Sequence, residues 1–303
     1  MTTPSTPTTP TSPLHSQTAT KPLGSSPGFW ARARRNPSFV IGAVLSLLLI
    51  AAAAQSLFWT PWPLDEVNMD AALQSPSSTH WLGTDAYGRD VLSYLLAGAQ
   101  SSILVGVIAV SIGLAIGTAL GLLAAARRGW VEELIMRIAD FTFAFPALLL
   151  AIMLTAVYGP GIVNAIVAIG IFYIPTFARV TRTSGNSIWT RAYILAAQAS
   201  GKGQWRITLE HVLPNILSAL IVQATIQFAL AILAEAALSY LGLGTQQPQP
   251  SWGRMLAEAQ SLMFQSPLLA VWPGIAIALT VLGLNLLGDG LRDLLDPRLT
   301  RKR

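Results

Sequence analysis

Long apolar stretches, separated by short segments rich in charge, glycine or proline, set the pattern of this chain. A helix that crosses a membrane needs about 20 predominantly apolar residues, and six uncharged stretches fit that demand. They run from about Ser38 to Trp59, Ala99 to Ala126, Phe141 to Tyr158, Gly161 to Ala178, Ile216 to Leu243 and Leu268 to Gly288. Only the fifth carries an ionisable residue, Glu235. The third and fourth are separated by Gly159-Pro160, which predicts a tight turn and a helical hairpin. The pattern therefore predicts an all-α polytopic membrane protein with six transmembrane helices.

Around these spans the chain divides into a Thr/Pro/Ser-rich tail over 1–34, a first transmembrane helix over 35–60 and an outer loop over 61–98. A five-helix core follows over 99–290, with a loop over 179–214 on the inner side, and a basic tail closes the chain at 291–303. The tail carries almost no large apolar side chains to offset its ordering entropy and is expected to be disordered. Arg32 to Arg35 followed by Ala52-Ala53-Ala54 has the look of a cleavable signal. The apolar run after it is long and the tail before it extended, so it reads as an uncleaved anchor.

Composition removes the soluble alternatives. Of 303 residues, 52% are hydrophobic and 11% charged, with a mean hydropathy of +0.54; a soluble domain carries roughly 25% charged residues. The formal net charge is +5, and its placement explains it. Seventeen of the 19 basic residues fall in segments that share one side of the membrane, leaving only Arg89 and Arg254 opposite. Basic residues concentrate on cytoplasmic loops, so both termini are expected to be cytoplasmic, and no nucleic-acid footprint is implied. With no cysteine and three scattered histidines, His15, His80 and His211, no metal site is expected. His80, Asp85 and Asp90 are better explained as turn and helix-capping residues ahead of the amphipathic segment Val91 to Leu96.

No H-E-x-x-H or phosphate-binding G-x-x-x-x-G-K-[ST] pattern occurs, so the chain is not expected to be an enzyme or to bind ATP itself. Intramembrane polar residues are few. Asn164, Gln223, Gln227 and Glu235 are the candidates for a translocation pathway, and Glu235 has a second reading as a hydrogen-bonded structural carboxylate. Gly113, Gly117 and Gly121 recur every four residues, the small-residue pattern of close helix packing. Pro146, Pro175 and Pro273 sit inside spans, where each frees a backbone carbonyl. The TQQPQPSW run from Thr245 to Trp252 reads as an outer loop, with Trp252 either an interface aromatic or a contact residue.

The loop over 179–214 is the informative stretch. Arg191 to Ser200 forms a helical segment with small residues at its centre, Gly201-Lys202-Gly203 breaks it, and Gln204 to Val212 is a second short amphipathic piece ended by Pro214. This pattern resembles the EAA loop of bacterial ABC-importer permeases, E-A-A-x3-G-x9-I-x-L-P, here Leu195-Ala196-Ala197, Gly201 and His211-Val212-Leu213-Pro214. HWLGTDAYGRDVLS (His80 to Ser93), ILAEAALSYLGLGTQQPQPSWG (Ile232 to Gly253) and LGDGLRDLLDPRL (Leu287 to Leu299) are similar to the second, C-type permease subunit of dipeptide/oligopeptide and nickel importers. Two positions depart: Leu195 stands where the motif has Glu, and His211 where it has Ile.

The resemblance implies a type I ABC-importer permease fold in a bacterial inner membrane, with no cofactor. It implies a second homologous permease chain, two cytoplasmic ATPase subunits and an extracytoplasmic substrate-binding protein as partners. ATPase docking would fall on Leu195, Ala196, Ala197, Gly201, Trp205, Arg206, His211, Leu213 and Pro214. Cargo in such systems is a dipeptide, an oligopeptide, a glutathione-like peptide or chelated nickel. Two rival readings of the residues are a stand-alone ion-coupled carrier or channel using Glu235, and a non-transporting membrane scaffold.

Overall fold

The structure, a computed structural model, describes residues 29–295. The expected disorder up to Gly28 and the basic tail from 296 onward lie outside the described residues. In chain order the helices are α1 (Phe29–Ala33), α2 (Pro37–Phe58), α3 (Val91–Ala126), α4 (Trp130–Ala144), α5 (Ala147–Tyr158), α6 (Ile162–Trp189), α7 (Ala192–Ala199), α8 (Gln204–Ile207), α9 (Leu213–Tyr240), α10 (Trp252–Gln260) and α11 (Leu268–Leu295). A one-turn π segment, Thr208–Val212, joins α8 to α9. Among the described residues, five helices are long and apolar enough to span a membrane, and α4 with α5 forms a bent sixth candidate.

Several boundaries move from their sequence-based positions, each for a local reason. Phe29–Ala33 is helical with Ala33 buried, so the tail expected to be disordered through residue 34 is ordered over this stretch. The outer loop expected through residue 98 ends at Asp90, whose carboxylate accepts the Ser93 amide at 2.8 Å and starts α3 there. Val91 to Leu96 is thus the first turn and a half of the span, not a separate amphipathic segment. The third stretch is two helices with about 82° between their axes. Pro146 has no amide hydrogen to donate and pushes Phe145 into an extended conformation (φ −96°, ψ 122°).

The inner loop also shortens from both ends. α6 continues through the charged positions Arg179 and Arg182 to Trp189, because Asp140 and Glu132 of α4 neutralise them. Gln204 to Tyr240 is one continuous helical run, so Pro214 does not end a separate piece. The π segment immediately upstream lets the run pass the proline: the Leu213 amide bonds to the Thr208 carbonyl five residues back, widening the turn into which the ring must fit.

Small residues set how the spans approach. Gly113, Gly117 and Gly121 all face α6. A methyl group on Gly117 would stand 2.5 Å from the Ile174 carbonyl oxygen and 2.6 Å from Phe177 Cβ, and one on Gly113 would stand 2.6 Å from Tyr173 Cβ. A second seam joins α2 to α11, where Gly42 lies against the Leu287 backbone and Gly290 against Phe39. Outward from these seams, Leu47, Leu48, Ile108, Leu230 and Leu279 are exposed, as side chains facing lipid would be.

Because backbone carbonyl and Cβ atoms line the α3–α6 seam, Gly117→Leu is expected to cost about 1–3 kcal/mol or more through overpacking. Gly274→Ala, which has nothing within 4 Å, is expected to be neutral or slightly stabilising. Thermal unfolding of the two variants in detergent, followed by size-exclusion of a fluorescent fusion, checks both.

Candidate functional site

The exposed element at one end of the bundle is built from α7, the Gly201 turn and α8. Ile194 and Ile207 are fully buried and tie the two short helices to the core, leaving Tyr193, Leu195, Trp205 and Leu209 exposed. α7 closes with bonds from the Ser200, Gly201 and Lys202 amides back to the Ala196, Gln198 and Ala197 carbonyls. Gly201 takes φ +82°, the left-handed region that glycine occupies without strain, and open space surrounds its Cα. Lys202 Nζ donates to Glu210 at 2.8 Å and lies 3.3 Å from His211 Nε2, while Arg206 Nε donates to the other Glu210 oxygen at 2.6 Å. This charge cluster braces the turn against the start of α9.

Of the residues picked from the motif, Leu195, Ala196, Gly201, Trp205, Arg206 and Pro214 are exposed, and Ala197, His211 and Leu213 are half-buried. Sequence reasoning missed Leu209, one turn after Trp205 on the same exposed face; its i, i+4 spacing was the available signal.

The four pathway candidates do not come together. Asn164 closes the hairpin turn, donating to the Gly159 carbonyl at 2.6 Å. Gln223 is half-buried, and Gln227 is buried with its carbonyl oxygen unpartnered. Glu235 is fully buried: Oε1 accepts from Ser239 Oγ at 2.7 Å, Ser251 Oγ at 2.8 Å and Thr245 Oγ1 at 3.2 Å, while Oε2 has no partner. This carboxylate ties the end of α9 to the loop leading into α10. Trp252 opens α10, buried, with its indole nitrogen donating to the Leu95 carbonyl at 2.8 Å, so it is neither an interface aromatic nor an exposed contact.

The open groove lies elsewhere, between α3, α9 and α11, with a volume of about 730 Å³. Leu114, Leu217, Phe228 and Leu284 wall it, with Ser111 and Thr118 as polar points, and none of the four pathway candidates lines it.

At the other end of the bundle, Arg89 organises the segment before α3. It donates to Asp85 at 2.6 Å, Glu258 at 2.9 Å and the Tyr94 hydroxyl at 3.1 Å. Burial works against its charge, yet Asp85 and Glu258 outweigh that and hold its pKa above the ordinary arginine value. Arg254 also donates to Glu258, so the two basic residues set apart by the sequence meet at one carboxylate. Asp90 accepts from the Ser93 amide and hydroxyl and lies 3.0 Å from His80 Nδ1; that arrangement caps α3.

Comparison with known proteins agrees with this architecture. The profile of a family described as binding-protein-dependent transport system inner membrane component matches residues 113–301. A glutathione transport system permease protein, GsiD, of Pectobacterium atrosepticum is 44% identical over 272 residues, covering 89% of this chain and 90% of that protein. The GsiD protein of Escherichia coli O157:H7 is 46% identical over the same length, with the same coverage. A dipeptide transport system permease protein, DppC, of Alkalihalophilus pseudofirmus is 43% identical over 268 residues, covering 88% of each. Among solved structures, an inward-facing form of the MetNI methionine ABC transporter superposes with a TM-score of 0.57 at 18% identity, covering 67% of this chain and 97% of that one. At that identity the likeness is one of fold.

Removing the Glu235 side chain leaves three buried hydroxyls without their shared acceptor, at roughly 1–3 kcal/mol for each group left unpaired. Glu235→Ala is expected to loosen residues 241–251 strongly and Glu235→Gln, which keeps one acceptor oxygen, only mildly. Hydrogen exchange over those residues separates this from a pathway role, which predicts unchanged exchange in both variants.

Proposed function

The chain belongs to the family of binding-protein-dependent transport system inner membrane components and is a permease subunit of an ATP-binding-cassette importer, and from that premise we propose how it couples, what it pairs with and what it carries. Cargo is a short peptide of the dipeptide or glutathione class, in keeping with the names of relatives that align along nearly the whole chain. Both termini and the α7–Gly201–α8 element face the cytoplasm, as the segregation of basic residues supports.

The observation that carries the coupling reading is the exposed α7–α8 element, anchored by the fully buried Ile194 and Ile207 and presenting Trp205 and Leu209 outward. Cytoplasmic ATPases dock there, one on this chain and one on a homologous permease, since this sequence has no phosphate-binding loop of its own. Ala196, Gly201, Arg206 and Pro214 lie on the docking surface, with Ala197, His211 and Leu213 shaping it from beneath. Leu195 contributes apolar contact where the motif carries a carboxylate. The groove between α3, α9 and α11 forms half of the passage, and the partner permease completes it. Substrate arrives from an extracytoplasmic binding protein at the end organised by Arg89.

A stand-alone carrier using Glu235 is disfavoured by the burial of that carboxylate among three hydroxyls and by the family membership. The scaffold reading is disfavoured by the same membership.

Gly201→Val tests the coupling assignment. A β-branched residue is strained at φ +82° although the space around it is open, so the variant is expected to insert and fold while the α7–α8 turn is displaced. The expected result is co-purification of a second permease and ATPases with the wild type, and at least a tenfold loss of peptide uptake per ATP hydrolysed in the variant. Normal uptake by the variant would remove α7–α8 from the coupling path. Peptide flux by this chain alone in liposomes without ATP would revive the carrier reading.

A further inference from the structure

Beside the coupling element, between the α3–α4 turn and α7, lies an open cavity of about 750 Å³. Its polar wall is made by Arg127, Arg128, Gln198 and Gln204 and its apolar wall chiefly by Trp130 and Leu195. Of the six basic residues from Arg137 to Arg206, five have a carboxylate, Arg191 being the exception: Arg137 has Glu133, Arg179 has Asp140, Arg182 has Glu132, and Lys202 and Arg206 share Glu210. Arg127 and Arg128 are exposed and have no carboxylate partner among the described residues. No acidic side chain lines the cavity. Two adjacent guanidinium groups with amide donors opposite them make a site for an anion, and phosphate suits their geometry.

The depth of the site and the surface next to it indicate where that phosphate comes from. Arg127 and Arg128 are the first charges after the uncharged run of α3, which places them at the level of lipid headgroups. From the cavity edge at Trp130 an exposed apolar stripe continues along α4 through Leu134, Ile138 and Phe141. Those spacings of four, four and three residues keep the side chains on one helix face. A phosphate held at the arginines therefore has an apolar track beside it for an acyl chain.

We propose that this cavity binds an anionic phospholipid, its phosphate on Arg127 and Arg128 and an acyl chain along Trp130, Leu134, Ile138 and Phe141. The lipid headgroup lies against Leu195 and Gln198 of α7, so membrane composition reaches the coupling element through a bound molecule. Basic pockets between membrane helices on the cytoplasmic side are a recognised setting for such lipids.

The test is native mass spectrometry of the permease, with whatever subunits accompany it, released from phosphatidylcholine nanodiscs containing a minority of phosphatidylglycerol. The wild type is expected to retain phosphatidylglycerol in preference to phosphatidylcholine. Arg127→Gln with Arg128→Gln is expected to lower that retention roughly 30-fold, from the loss of two surface charges, and Arg127→Lys with Arg128→Lys to preserve most of it. Equal retention of the two lipids by the wild type, or unchanged retention in the glutamine variant, overturns the proposal. Displacement of the lipid by millimolar inorganic phosphate would reduce the site to a free-anion site and also overturn it. Loss of ATPase co-purification in the glutamine variant with lipid retention unchanged would assign the arginines to an acidic segment of the ATPase instead.

Discussion

The close approach of α3 and α6 is the constraint on which the rest of the molecule depends. In lipid there is no hydrophobic force to push helices together, so packing contacts and the absence of side-chain bulk decide which helices meet. Gly113, Gly117 and Gly121 let the α6 backbone come within contact of α3 over two turns. One turn further on, Gly185 of α6 lies against Ala125 of α3 and Val212 of the π segment. Three elements therefore converge at the point from which α7 and α8 project. The same seam fixes the end of α3, and so sets Arg127 and Arg128 beside α7.

Charge pairing then explains why the helices are longer than their apolar runs. Arg179 and Arg182 would normally mark the edge of a span, yet α6 carries them on to Trp189 because α4 brings Asp140 and Glu132 to meet them. Residues that end a hydropathy run thus continue a helix once a neighbour supplies the opposite charge. At the opposite end of the bundle Arg89 acts similarly: buried and met by Asp85 and Glu258, it joins the segment before α3 to α10.

Much of this was legible in one dimension. Six uncharged stretches placed the spans, the four-residue glycine repeat marked α3 as a packing helix, and Asp90 was readable as a cap. What escaped was set by contacts between distant residues. The continuity from Gln204 to Tyr240 depends on a π turn that no local signal announced, and the break at Phe145 on how far Pro146 redirects the chain. The α2–α11 seam escaped as well, because Gly42, Gly283 and Gly290 lie on two helices and form no repeat along either. Polar residues on the fifth stretch suggested a pathway, whereas the groove is lined mostly by Leu, Val and Ala with a few hydroxyls. Apolar walls of such a groove look the same as lipid-facing surface to hydropathy, which therefore cannot tell the two apart.

The helical run from Gln204 to Tyr240 ties these features to a mechanism. At 1.5 Å per residue its 37 residues extend about 55 Å, from the exposed Trp205 and Leu209 at one end to Glu235 and Ser239 near the other. A rigid helix pushed at one end moves at the other unless something along it yields. The π segment at Thr208–Val212 is the one wide turn in this run, and it sits where Val212 is clamped at Gly185. A displacement of α7–α8 is thus either absorbed within that turn or delivered along α9 to the Glu235 cluster, which holds the loop before α10. The bracing of Lys202 and Arg206 on Glu210 stiffens the turn on its α8 flank, and this favours delivery over absorption.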